Sequence, residues 1–101
     1  MCTSTLTAIA DCSVDNEQVR VTRWSFAPGA ETGHHRHEYD YVITPITHSQ
    51  MRIEDAQGER IVELLPGVSY FRPAGIEHNV TNVGDDEMIF VELELKPSQQ
   101  S

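Results

Sequence analysis

The chain has 101 residues, with 16 Asp and Glu against 7 Lys and Arg, for a formal charge of -9 at pH 7. A chain of this length holds one domain and buries roughly 65% of its unfolded surface on folding, and 39% hydrophobic with 23% charged residues is the composition of a folded domain, not a disordered one. The acidity and the lack of Lys/Arg clusters exclude nucleic acid and anionic membrane surfaces as expected partners, and no apolar run is long enough to span a bilayer.

Residues 1–16 are Thr/Ser-rich with scattered apolar positions and read as an N-terminal arm or edge strand. They contain no basic residue and no long apolar core, so no secretory signal is expected. Cys2 and Cys12 are too few for a disulfide scaffold or a zinc site and read as free thiols in a reduced cytoplasm. The folded domain is expected over 17–97. From Gln18 the period is two: Val19, Val21, Arg23 and Ser25 share one face, and Arg20, Thr22, Trp24 and Phe26 the other, which predicts a strand ended by Pro28-Gly29. Tyr39 to Ile46 is a second strand, with Pro45 at an edge or bulge because it cannot donate a ladder hydrogen bond. Met51 to Glu54 and Arg60 to Leu65 flank the turn sequence Asp55-Ala56-Gln57-Gly58, a hairpin signal. Pro66-Gly67 turns the chain into a short strand from Val68 to Arg72. After Pro73-Ala74-Gly75, strands follow over Ile76 to Thr81 and Glu87 to Leu95, and 98–101 is a polar tail. Helical periodicity is lacking, so the fold class is all-β, a sandwich or barrel. The aromatic residues, Phe71 included, and Met51 and Met88 are expected in the core. The acids at Asp85 to Glu87, Glu92 and Glu94 are expected to be solvated.

Three of the five histidines, His34, His35 and His37, fall within four positions. In an extended chain His35 and His37 share a face, about 7 Å apart along the backbone, where two imidazoles can converge on one cation. His34 and Arg36 point the other way, so His34, like His48, is expected in solvent. Asp40 and Glu38 can add a carboxylate, and His78 comes from a later strand. Imidazole with carboxylate suits Fe, Mn, Ni, Zn or Cu better than Ca or Mg. Arg72, beside Pro73, could clamp a carboxylate with its planar fork, and Tyr70 could help orient a substrate. The turn positions have their own reasons: Gly29 and Gly67 permit positive φ, Pro73 and Gly75 swing His78 inward, and Asn82 can close a turn through its side chain.

The spacings Gly29-x5-His35-x-His37 and Gly67-x5-Pro73-x-Gly75-x2-His78-x3-Asn82 resemble the two motifs of the cupin superfamily. The second matches at every defined position, the first at its Gly and both His, and the resemblance covers residues 19–95. It implies a double-stranded β-helix, a jelly-roll barrel enclosing one divalent transition metal ion held by His35, His37 and His78. The family's usual Glu would fall at Tyr41 or Val42; the nearest acid is Asp40, with Glu38 as the fallback, and a three-His site completed by water is the alternative. The Gly that usually ends the first motif is absent, with Thr47 and His48 in that region.

The resemblance implies either a metal-dependent enzyme, dioxygenase- or isomerase-like, on a small and carboxylate-bearing metabolite, or a non-catalytic cupin that binds or senses a small ligand. A third reading is a structural barrel with adventitious metal. There is also a looser similarity to short bacterial cupins of amino-acid and amine catabolism, β-alanine degradation among them. Cupins of this size typically pair by exchanging edge strands, which implies a homodimer using residues 1–16.

Overall fold

A computed structural model describes residues 6–97, which hold nine strands and no helix: β1 (Ile9–Asp15), β2 (Val19–Phe26), β3 (His35–Arg36), β4 (Asp40–Pro45), β5 (Ser49–Asp55), β6 (Gly58–Leu64), β7 (Tyr70–Arg72), β8 (Glu77–Asn82) and β9 (Met88–Leu95). Cys2, the beginning of the arm and the 98–101 tail lie outside the described residues. The strands form two antiparallel sheets, ordered β1-β2-β9-β4-β7 and β3-β8-β5-β6. This is the all-β, double-sheet architecture expected from the sequence, and the Asp55–Gly58 turn joins β5 to β6 as a hairpin.

Strand register explains where the core ends and a cavity begins. On the inner face of the larger sheet Phe26 lies opposite Met88, Trp24 opposite Phe90, Thr22 opposite Glu92 and Arg20 opposite Glu94. Continuing across the sheet, Pro45, Ile43 and Tyr41 of β4 face Phe90, Glu92 and Glu94, and Tyr70 and Arg72 of β7 face Ile43 and Tyr41. One end of the barrel is therefore apolar. Phe26 and Met88 are fully buried there, with Ile43, Met51, Ile53, Leu64 and Val80 around them, and the Phe26 and Phe90 rings sit 5.4 Å apart. The other end is lined by charged and polar groups. Alternation, a period of two, puts all of these on one face.

Two expectations fail at this point. Glu92 and Glu94 are buried, at 7% and 6% exposure, not solvated. Residue type suggested solvent, but they continue the inward series begun by Met88 and Phe90. Phe71 is not core but half exposed, because in β7 the same alternation sends Tyr70 and Arg72 inward and Phe71 out.

The turns behave as their sequences require. Gly29 and Gly67 adopt φ of 84° and 77°, in the left-handed region that favours glycine. Pro45 closes β4 beyond the last β7 partner, so its missing donor costs no ladder bond. Asn82 is 1% exposed. Its Oδ1 accepts from the Gly84 N–H at 2.9 Å, while Nδ2 donates to the carbonyls of Phe26 (3.0 Å) and Asp86 (2.9 Å). Asn82→Ala should leave a buried carbonyl and an N–H without partners and lower stability by about 2 kcal/mol, read as a lower urea midpoint with an unchanged m-value.

Candidate metal centre

His35, His37 and His78 converge, and the ladder of β3 and β8 explains why. His35 and His78 are direct cross-strand partners, so their side chains leave the same face. His37 lies two residues on, on that same face, and the ladder continues past the end of β3 through His37 N–H to the Ile76 carbonyl at 2.8 Å. Gly75 N–H in turn donates to the His37 carbonyl at 2.8 Å. The three imidazoles meet at their Nε2 atoms: His37 Nε2 is 3.0 Å from His35 Nε2 and 3.0 Å from His78 Nε2. No other group of His, Cys, Asp and Glu among the described residues converges in this way.

The donor set fits a transition metal. Nitrogens held at bonds of about 2.1 Å and mutually near right angles lie roughly 3.0 Å apart, which is the separation found for His37 with each partner. Ring orientation is set from behind. His35 Nδ1 lies 2.9 Å from the Gly33 carbonyl, which can only accept, so Nδ1 carries the proton and Nε2 keeps its lone pair for a metal. His37 Nδ1 lies 3.5 Å from Glu92 Oε2, and its ring stacks on Tyr41 at 3.9 Å and 15°. Burial, reinforced by the His35 imidazole, pulls the pKa of His37 down to about 4. Burial does the same for His78, again to about 4, with His35 and His37 adding to it. Both rings are thus neutral at pH 7, the form in which an imidazole can donate to a metal.

The carboxylates divide differently from expectation. Asp40 stands apart from the triad: it is exposed, and its Oδ1 accepts the Ala74 N–H at 2.8 Å, fastening the Pro73-Ala74-Gly75 turn to the segment after His37. Glu38 is exposed at the cavity mouth and also outside the triad. The buried acids that face inward are Glu92 and Glu94. Glu94 is held by Arg20 through two bonds of 2.6 and 2.9 Å. Glu92 accepts from Trp24 Nε1 at 3.2 Å, and burial lifts its pKa to about 7 against that hydrogen bond. Neither was picked out from the sequence, although carrying the Met88/Phe90 alternation two steps further points to both.

The triad opens into a cavity of about 470 Å³ that Tyr70 and Arg72 also line, in the range of small-molecule sites. The Arg72 guanidinium lies 4.6 Å from the Tyr70 ring centroid. His34 and His48 stay at the surface against Glu77 and Glu63, and Arg36 is exposed, as alternation requires.

Residues 22–94 match the cupin domain family, a span that runs from within β2 to within β9 and contains all three histidines. The chain belongs to the cupin family. This cupin is 51% identical over 89 residues to the β-alanine degradation protein BauB of Pseudomonas aeruginosa, covering 88% of this chain and 94% of that protein. A crystal structure of a cupin domain from Bordetella pertussis Tohama I shares 47% identity with a TM-score of 0.92, over 95% of this chain and 100% of that one. A conserved double-stranded β-helix protein from Klebsiella pneumoniae, at 21% identity, TM-score 0.75 and coverage of 98% and 85%, shares the fold.

Proposed function

We propose that this cupin is a metal-dependent enzyme, dioxygenase- or isomerase-like, acting on a small, carboxylate-bearing metabolite in the cytoplasm. The observation that carries this reading is the meeting of three Nε2 atoms, 3.0 Å apart across His37, at the wall of a ligand-sized cavity. His35, His37 and His78 hold the ion, and Asp40 secures the neighbouring turn in place of acting as a fourth ligand. The chemistry that a bound divalent transition metal (Fe, Mn, Ni, Zn or Cu) supplies is Lewis acidity, or O2 activation where the ion is redox-active.

The chain's own residues do the rest. Glu92 and Tyr41 fix the His37 ring from two sides, Arg72 and Tyr70 orient the substrate from β7, and the apolar end formed by Phe26, Phe90 and Met88 excludes water. The BauB relationship supports a setting in amino-acid or amine catabolism. The same reading makes the protein a homodimer. Every residue of β1 is exposed in the single chain and its outer edge has no strand partner among the described residues, a liability that a second copy would cover.

The deciding experiment is elemental analysis of untagged protein expressed without metal supplementation, followed by product and O2-uptake assays on small amino and carboxylic acids. One metal per chain and turnover abolished by chelation are expected. Ligand binding without turnover would assign the non-catalytic alternative, and substoichiometric metal would remove the reading.

A further inference from the structure

We infer that Arg36 and Arg72 form a two-guanidinium clamp at the cavity mouth that holds the carboxylate of a small organic acid, whose other end extends toward the His triad. This deepens the proposed function and rests on it for the far end of the ligand.

The charge distribution carries the inference. The whole chain stands at -9, yet its cavity is lined by four of the six arginines, Arg20, Arg36, Arg60 and Arg72, against three acids, Glu38, Glu92 and Glu94. Two of the four are already neutralised. Arg20 is bound to Glu94 at 2.6 Å and Arg60 to Asp55 at 2.9 Å. Arg36 and Arg72 have no carboxylate partner among the described residues.

Both residues adjoin one turn, and the Arg72 fork has one contact within the chain, Nη1 donating to the Phe71 carbonyl at 2.9 Å. Arg72 immediately precedes Pro73, and Arg36 reaches over Gly75, where its Nη2 lies 3.8 Å from the position a Cβ would take. That turn is pinned to the segment around His37 by two bonds from its backbone N–H groups, Ala74 N–H to the Asp40 carboxylate and Gly75 N–H to the His37 carbonyl, each 2.8 Å. The turn beside both arginines is therefore held at a fixed place relative to His37. Arg72 lies against the Tyr70 ring, which orders its planar fork before a ligand arrives. Paired forks bind carboxylate through charge-assisted, bidentate hydrogen bonds. Glu38 and Glu92, the two lining acids without an arginine partner, disfavour a more highly charged oxyanion such as a phosphate monoester.

The test is an NMR chemical-shift titration with propionate, its neutral isostere propionamide and inorganic phosphate, on metal-loaded and chelator-treated protein, with metal content measured on each sample. Propionate should bind saturably in both forms and at least about tenfold more tightly than propionamide or phosphate. Arg36→Gln and Arg72→Gln should each weaken propionate at least about fivefold, whereas Arg23→Gln, at an exposed arginine outside the cavity, should not. Equal binding of the amide, tighter binding of phosphate, or propionate binding unchanged in both cavity variants would overturn the clamp. So would propionate binding that vanishes on chelation. Absence of metal with arginine-dependent propionate binding intact would count against the metal reading alone.

Discussion

His78→Ala is expected to abolish stoichiometric metal binding, with metal content falling from about one per chain to background and affinity dropping by at least about 100-fold. Losing an outer-shell partner of a ligand costs roughly 10–100-fold, and in the proposed site His78 is a direct donor. Its Nε2 is one of the two that stand 3.0 Å from or next to His37 Nε2, and as the cross-strand partner of His35 it has no substitute on β8. His34→Ala and His48→Ala remove the same chemical group from exposed positions and should leave metal content unchanged. Asp40→Ala should also retain the ion, since that carboxylate is engaged with Ala74 N–H. Elemental analysis of the four variants checks the assignment. Retention of one metal per chain in His78→Ala would refute the triad, and loss in Asp40→Ala equal to that in His78→Ala would restore Asp40 as the fourth ligand.

How much of this was legible in the sequence depends on what each residue answers to. The strands were legible because alternation and turn residues are local, and so were the three histidines, whose spacing places two on one face of one strand and the third after a Pro-Ala-Gly turn. The carboxylates were not. Asp40 lies near the histidines in sequence but outside the triad, because a long-range hydrogen bond to Ala74 claims its side chain. Glu92 lies 55 positions from His37, yet its Oε2 stands 3.5 Å from the His37 ring. That contact depends on β9 running between β2 and β4, a long-range pairing. Judging Glu92 and Glu94 by residue type gave solvent; judging them by the phase of Met88 and Phe90 gives the cavity. Arg36 shows the same limit, since alternation correctly turns it away from the triad but does not show that it reaches Gly75.

Protein stripped of metal is expected to lose about 2–3 kcal/mol of stability between pH 6.5 and 4.5. His37 and His78 carry folded pKa values near 4 against an ordinary 6.5. In that window the unfolded chain takes up two protons that the folded chain refuses, so these groups make stability fall as pH falls. Glu92 works in the opposite sense. Its folded pKa is raised from 4.5 to about 7, so the folded chain holds one proton that the unfolded chain lacks, and its term favours the fold as pH falls. The difference is one net proton, about 1.4 kcal/mol per pH unit. Asp15 and Asp55, lowered by their bonds to Lys96 and Arg60, act below their ordinary 3.8 and outside this window. Glu92→Gln removes the opposing term and should roughly double the slope, while His78→Ala should remove one of the two histidine protons and flatten it. Urea denaturation with chelator at several pH values reads all three slopes. A wild-type slope of zero, or an unchanged slope in Glu92→Gln, would show that the buried histidines and Glu92 do not titrate as their surroundings dictate.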